Sequence, residues 1–394
     1  MSIFGNGRAA IWRLAVAAAL TGAQTTAIFA TGAVVGADLA PDPALATLPV
    51  SILIAGMAGS TLPAGYVTAR YGRRTTYLLG AGLGILSGLT GTAAIIVGSF
   101  ALFCVATLLG GILAAVAMSF RFAAAECVPE GARARALATV LAGGVVSGVL
   151  GGEMVTATMS LIPGHDFAGT YLASAFFALA GMITLAGANF PSPGIVVSAG
   201  RSLRIIARQP LFIAAVTSGA ITYLLMNFLM TSAPLAMRMH DMPQHQANFA
   251  VQWHVVAMYA PSFGTGWLIT RLGAARVTVA GLIVTAAAAA IGLVGETFAY
   301  FTLSLLVLGV GWNFGFAGAS AMVLDTHRPD ERARVQALND FIVFGTVMVG
   351  SFLSGGVLLH YGWAVVCWLA FPPILAALAV LRLFRETRTA QPAW

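Results

Sequence analysis

Three methionines and one histidine fall at helical spacing in the second half of the chain. Met226 and Met230 are four residues apart, and His254 and Met258 repeat that spacing further along. Residues four apart lie on one face of a helix, one turn from each other. Thioether sulfur and imidazole suit Cu(I) and bind it without a fixed negative charge. The spacing favours a central copper site, while methionine as an adaptable packing residue is the competing interpretation.

The segment between these pairs carries more of the same ligand types. It reads Met-Arg-Met-His-Asp-Met-Pro-Gln-His over residues 237–245. Exposed thioethers and imidazoles form a weak collecting site for copper at the outer mouth of the protein, and a mobile loop of coincidental composition is the alternative. The predicted collecting residues are Met237, Met239, His240, Met242 and His245.

Glu153 is a carboxyl group inside an otherwise apolar stretch. A polar group at membrane depth is costly and is a functional candidate by default. We therefore predict Glu153 as a proton-coupling residue facing the outer part of a central cavity, against the alternative of a buried acid hydrogen-bonded to the backbone. The amides at similar depth are Gln24, Asn227, Gln252 and Asn313. Hydrogen bonds between helices are the alternative interpretation for all four and the favoured one for Gln24 and Asn313.

Aromatic residues offer a different interpretation of the same region. Tyr223, Trp253, Tyr259 and Trp312 belong to neighbouring apolar segments. Together they could line a cavity that stacks a planar organic solute or drug. Metal titration against ligand uptake separates this hypothesis from the copper hypothesis.

The elements that must position these groups are membrane helices. Of the 394 residues, 59% are hydrophobic and 8% are charged, which is more apolar surface than one soluble core can bury. A bilayer core about 30 Å thick needs about 20 apolar residues per helix. Stretches of that length recur, so the prediction is an all-α integral membrane protein with twelve spans, numbered in chain order. They are 14–35, 48–67, 75–97, 100–120, 136–161, 167–188, 210–236, 247–269, 277–294, 298–324, 335–359 and 363–381.

The arginines predict the orientation of these spans. The chain has no lysine, and nineteen of its twenty arginines fall at the termini or in every second loop, Arg238 being the exception. Basic residues are retained in cytoplasmic loops. Both termini are therefore expected in the cytoplasm. The net charge of +7 reflects this topology, and no nucleic-acid role is inferred from it.

The loops repeat between the two halves of the chain. Gly65, Arg70 and Gly72 follow span 2, and a Gly, an Arg and a Gly recur at the same spacing 201 residues later. The repeat predicts two six-helix bundles, 1–190 and 210–394, joined by a cytoplasmic linker, 191–209. Gly144, Gly148, Gly151 and Gly152 on span 5 resemble a small-residue packing face.

The loop after span 2 resembles the signature of the major facilitator superfamily. It carries Gly65, Arg70, Gly72 and Arg73, but Ala69 stands where that family usually has Asp. The resemblance covers essentially the whole chain and implies alternating access around a site between the halves. It also assigns the four loop residues a role in the conformational change.

The paired methionine and histidine motifs resemble those of bacterial copper importers of the CcoA type within that superfamily. The match rests on Met226, Met230, His254 and Met258. It implies copper uptake across the cytoplasmic membrane to supply the assembly of a haem-copper cytochrome oxidase. Relatives without these motifs are similar to riboflavin transporters, so an organic solute such as riboflavin is the alternative substrate.

Other functional classes are disfavoured. No nucleophile and base pair or phosphate-binding glycine loop stands out, so an enzyme is not expected. A receptor would normally append a soluble signalling domain, and the longest polar stretch is the linker 191–209. We expect a monomer in the lipid bilayer without a cofactor, with copper as transported substrate.

Overall fold

The computed structural model describes residues 2–120, 123–124, 127–128, 133–188, 190, 201–328 and 331–389. Those residues form α-helices and one short 3-10 turn, with no strand among them. The all-α prediction is confirmed. The helices are α1 (Ser2–Leu39), α2 (Leu48–Ile96), α3 (Phe100–Met118), α4 (Arg133–Thr158), α5 (Ala168–Ala186), α6 (Leu203–Ile206), α7 (Pro210–Met239), α8 (Gln244–Tyr259), α9 (Ser262–Leu272), α10 (Ala274–Val294), α11 (Phe298–Leu324), α12 (Arg332–Trp368) and α13 (Phe371–Thr389).

The twelve predicted spans map onto these helices. Spans 2 and 3 form α2, which is broken at Gly72, and α12 contains span 11 and, after a break at Gly362, the start of span 12. Span 8 is divided into α8 and α9 next to Pro261, which lacks an amide hydrogen for the helix ladder. Within the described residues nine helical stretches are long and apolar enough to cross a bilayer, and the 46-residue stretch Leu338–Leu383 is long enough for two crossings.

The helices pack as two bundles. In the first half α1 packs on α4 and α5, and α2 packs on α3 and α5. In the second half α7 packs on α11 and α12, and α10 packs on α11. The halves meet where α1 contacts α7 and α8, α4 contacts α8, and α2 contacts α12. We call the membrane face with the start of α1 and the end of α13 the terminus face, and the face where α1 and α7 end the opposite face.

Backbone contact between helices fixes the wall of the second half. A Cβ atom on Gly281 of α10 would collide with the backbone of Gly315 on α11 and lie 2.8 Å from the Gly311 carbonyl oxygen. Helices that approach this closely gain van der Waals contact, the main attraction between helices in lipid. Gly281 therefore sets the position of α11.

Two glycines that repeat between the halves share a backbone conformation. Gly72 has φ 83° and Gly273 has φ 88°. Residues with a Cβ atom rarely adopt this backbone conformation. The repeat predicted from spacing is thus visible in the backbone. Both glycines mark the point where one span ends and the next begins.

The side chains of the predicted conformational loop are held within the first half. Arg70 donates to the Tyr66 hydroxyl at 3.0 Å, and Arg73 donates to the Tyr77 hydroxyl at 3.2 Å. Gly65 has open space where a Cβ would stand. Their role in the conformational change stays a prediction.

The end of the predicted linker is tied to the second half. Arg201 donates through its backbone and Nε to one Glu331 oxygen at 2.8 Å, and through a terminal nitrogen to the other at 2.7 Å. The Arg201 guanidinium and the Arg328 backbone N–H hold the pKa of the buried Glu331 well below its usual range. The carboxylate is therefore ionised at neutral pH and fastens Arg201 to the loop before α12.

Candidate functional site

A cavity lies between the two halves. It encloses about 1070 Å³ of empty space, including its open mouth. Nineteen residues from seven helices line it, and none of them carries a charge. They are Ala18, Gly22, Thr25, Thr26, Phe29, Met57, Ala114, Ala117, Met118, Val140, Gly144, Ser147, Tyr223, Met226, Met230, Val255, Met258, Tyr259 and Trp312.

Aromatic rings of the second half build one wall. Trp312 stacks on Phe316 with ring centroids 5.2 Å apart and an interplanar angle of 15°. Tyr223 and Tyr259 meet Trp312 edge-on at 5.6 and 6.0 Å. These contacts fix the indole, because edge and face arrangements of aromatic rings are geometrically specific. Of the four aromatic residues singled out in the sequence, only Trp253 is outside the lining, and it is 41% exposed.

Five methionines converge on the same cavity. Met226, Met230 and Met258 come from the second half, as predicted, and Met57 and Met118 come from the first half. No spacing pattern marks the last two, which are isolated methionines in apolar spans. Five flexible thioethers can pack against a flat ring or bind a soft metal ion.

His254 is not part of the cavity lining. It is fully buried, and its Nδ1 lies 2.6 Å from the Leu305 carbonyl oxygen. A carbonyl only accepts, so Nδ1 donates and Nε2 is left with a lone pair that has no partner among the described residues. The structure thus places three of the four predicted copper ligands on the cavity wall, and the imidazole is turned toward α11.

Hydrogen bonds between the halves close the cavity at the opposite face. Arg238 pairs with Asp38 at 2.7 Å and donates to the Val34 carbonyl at 3.3 Å. Ser51 on α2 donates to Ser351 on α12 at 2.8 Å. Each of these contacts joins one half to the other, so the halves are in contact at this face.

The glycine face of α4 completes this closure. A Cβ on Gly148 would be 3.0 Å from Val255, and one on Gly152 would be 2.6 Å from the Gln252 side chain. Both partners are on α8 in the other half. The predicted small-residue face is therefore confirmed as packing, and it brings α4 and α8 together beside the cavity.

Sequence comparison decides the family. The model of the Major Facilitator Superfamily matches residues 14–249 and 216–393, which together cover nearly the whole chain. The chain belongs to the major facilitator superfamily. It is a multi-pass membrane transporter and not an enzyme, and the major facilitator fold predicted from the sequence is confirmed.

Individual relatives of this superfamily member differ in what their names state. The riboflavin transporter RfnT of Brucella anthropi is 42% identical over 374 residues, covering 94% of each chain. The uncharacterized transporter YddS of Bacillus subtilis is 27% identical over 367 residues, covering 87% of this chain and 83% of the relative. These relatives do not support the predicted resemblance to copper importers.

Two solved structures with the same fold are of xylose transporters. A D-xylose–proton symporter has a TM-score of 0.76 at 14% identity, covering 94% of this chain and 96% of the other. XylE from E. coli, in a partially occluded inward open conformation, has a TM-score of 0.73 at 14% identity, covering 96% and 99%. At this identity the likeness shows the fold alone.

The predicted collecting loop is partly wrong in this transporter. Met237 is fully buried, because α7 continues to Met239 and turns the Met237 side chain into the core. Met239 is exposed. The segment outside a helix is therefore only 240–243, shorter than the run read from the sequence.

The remaining collecting residues do not converge. His240 lies 3.2 Å from Glu296, whereas Met242 packs against the main hydrophobic core. His245 is exposed at the start of α8. Metal binding at these residues stays a prediction.

Glu153 lies at the α4–α8 seam of the transporter, beside the cavity and outside its lining. Its side chain is exposed and accepts a hydrogen bond from Gln252 at 3.4 Å. Gln252 belongs to the other half, so separation of the halves removes this partner. Proton coupling through Glu153 stays a prediction.

Loss of the ion pair at the opposite face should open the cavity on that side. We expect Arg238→Gln to speed the labelling of a cysteine at Met230 by about 1.5- to 5-fold, because a half-exposed ion pair contributes about 0.2–1 kcal/mol. The measurement is the rate of reaction with an impermeant maleimide added at the opposite face, after Cys104, Cys127 and Cys367 are changed to Ser. Arg271→Gln at the terminus face is the control, and exchange of both charges, Asp38→Arg with Arg238→Asp, should restore slow labelling. Equal labelling rates in Arg238→Gln and its parent would show that the Arg238–Asp38 ion pair does not hold this face closed.

Proposed function

We propose that the transporter carries a small, planar organic solute of the riboflavin type across the cytoplasmic membrane by alternating access. The observation that carries this proposal is the uncharged cavity between the halves, walled by Trp312, Tyr223 and Tyr259. Ligand sites of this kind are concave, mostly apolar and rich in aromatic side chains. The name of the relative with 42% identity supports the same solute class.

The arginine pattern gives the direction of access. With the termini in the cytoplasm, the opposite face is the outer face. The structure is then the state in which Arg238 and Asp38 seal the cavity from outside. Uptake follows when these contacts break, the outer face opens and a solute enters.

Riboflavin uptake by purified transporter in proteoliposomes tests the proposal. We expect saturable uptake of labelled riboflavin that empty liposomes lack. Exchange of internal unlabelled riboflavin for external label should accelerate it, since one site is presented alternately to the two sides. Absence of both signals, with protein shown to be folded by size exclusion, would refute the solute assignment.

Copper is the second candidate, because five methionines line one cavity. The decisive variants are Met226→Leu, Met230→Leu, Met258→Leu and His254→Ala. Met to Leu conserves packing volume and costs under about 1.5 kcal/mol in a core. We expect riboflavin uptake to persist in the Leu variants and cellular copper to match that of cells without the transporter. Copper accumulation that depends on two or more of these residues would return copper to first place.

Proton coupling makes a separate prediction. If Glu153 carries the coupled proton, Glu153→Gln keeps the hydrogen-bonding shape but removes titration, so the pH dependence of uptake should flatten. Initial uptake rates between pH 5.5 and pH 8 measure this. Glu296→Gln, a change of the exposed carboxylate beside His240, serves as the control. A Glu153→Gln variant with the parent's full pH dependence would end the assignment.

A further inference from the structure

The aliphatic hydroxyl groups of the cavity are gathered on the first half. Among the nineteen lining residues, the hydroxyl groups outside the tyrosines are those of Thr25 and Thr26 on α1 and Ser147 on α4. The aromatic wall lies across from them on the second half. The cavity thus has a hydroxyl side and a ring side.

The hydroxyl protons on that side are already used. Thr25 donates to the Thr21 carbonyl at 3.5 Å, Thr26 donates to the Gly22 carbonyl at 3.1 Å, and Ser147 donates to the Gly144 carbonyl at 2.7 Å. A hydroxyl has one proton and two lone pairs. Once the proton is bound to the helix backbone, only lone pairs remain for a ligand. With its protons on the backbone carbonyls, the hydroxyl side offers lone pairs to a ligand.

Such a surface selects against anions. A phosphate ester carries a charge of about −1.5 to −2 near pH 7 and needs donors or cations around it. The nineteen lining residues include no Arg and no Lys, and the three aliphatic hydroxyls donate their protons to backbone carbonyls. The Trp312 N–H on the ring side is a neutral donor and supplies no charge. Moving an unpaired anion into an apolar site is strongly unfavourable. A neutral ligand rich in O–H or N–H donors meets no such barrier.

We infer that the cavity binds an uncharged ligand in one orientation, with its flat ring against Trp312 and a hydroxylated chain on Thr25, Thr26 and Ser147, and that it rejects the phosphorylated form. The inference rests on the proposed function and adds the substrate's charge and orientation to it. A flavin with a free sugar-alcohol chain fits both sides of the cavity, whereas its phosphate ester places a charge among acceptor lone pairs.

Three flavins separate the features of this inference. Riboflavin has both ring and chain, lumiflavin has the ring without the chain, and flavin mononucleotide adds a phosphate to the chain. Competition with labelled riboflavin uptake in proteoliposomes gives the half-inhibitory concentration of each, and quenching of flavin fluorescence by the adjacent indole reports binding directly. We expect riboflavin to compete best, lumiflavin to compete more weakly, and a 100-fold excess of the mononucleotide to leave uptake unchanged.

The hydroxyl side is tested by Thr25→Val combined with Ser147→Ala. Each lost hydrogen bond is expected to weaken riboflavin binding by about two- to tenfold. Lumiflavin lacks the chain, so its half-inhibitory concentration should stay the same. Thr21→Val is the matched control, since Thr21 lies one turn away on α1, donates to the Ala17 carbonyl at 2.7 Å and is outside the lining. It should behave as the parent does.

The charge selection and the orientation of the ligand would be contradicted by different results. Competition by the mononucleotide as strong as that by riboflavin would overturn the charge selection. Equal weakening of riboflavin and lumiflavin in the double variant, or the same loss in Thr21→Val, would overturn the orientation. In these cases parent uptake of riboflavin survives, whereas failure of the proposed function removes that uptake itself and overturns both.

Discussion

Trp312→Ala should raise the KM for riboflavin at least tenfold. The indole is the fixed part of the ring wall, stacked on Phe316 and held edge-on by two tyrosines. An aromatic side chain buries about 150–250 Å², and an aromatic pair adds about 0.5–1.5 kcal/mol beyond area burial. Since about 1.4 kcal/mol is a factor of ten in affinity, loss of this wall exceeds that factor.

The initial uptake rate as a function of riboflavin concentration measures this effect. Trp312→Phe retains a ring and should lose less than Trp312→Ala. Trp368→Ala removes an indole that is 62% exposed on the outside of the bundle, and it should leave the KM unchanged. A folded Trp312→Ala variant with the parent's KM would show that the ligand does not contact this wall.

Gly281→Val should destabilise the transporter and abolish most uptake. A Cβ at this position meets the backbone of Gly315, which cannot rotate aside as a side chain can. Overpacking of this kind costs about 1–3 kcal/mol, and here it also displaces the helix that carries Trp312. The unfolding temperature in detergent and the uptake rate are the measurements.

Gly345→Val is the matched control for that substitution. Gly345 is also a helical glycine of the second half, and nothing lies within 4 Å of a Cβ built on it. The same change in helix propensity therefore occurs without the collision. Equal losses in both variants would assign the effect to the valine itself and not to the contact between α10 and α11.

Much of the fold is predictable because lipid imposes it. Apolar stretches of about 20 residues and a break such as the one at Gly72 are properties of short segments. The division of span 8 next to Pro261 was not predicted. The repeat of Gly72 at Gly273 was readable as a spacing and reappears as a shared φ. The place where α7 ends was not readable, because no Gly or Pro marks it, and Met237 was consequently assigned to an exposed loop.

The site is predictable only where its residues form a pattern. Met226, Met230 and Met258 were found through helical spacing, and they line the cavity. Met57 and Met118 have no such spacing, and they join the three second-half methionines only when the two bundles meet. His254 shares the spacing of Met258, yet the close approach of α11 turns its imidazole to the Leu305 carbonyl. Side-chain direction depends on the packed neighbour, which one segment does not specify.

A cavity without charge also has an electrical consequence. Moving one elementary charge across a membrane exchanges about 2.3 kcal/mol per 100 mV of potential. The nineteen lining residues carry no charge, and neither does the inferred ligand, so exposure of the site to one side and then the other moves none. The membrane potential therefore does no work on the lining or on the ligand, and without a coupled ion the ratio of solute concentrations sets the direction of transport. The energy for accumulation against that ratio must therefore be supplied through a group outside the lining. Glu153 at the α4–α8 seam is the candidate.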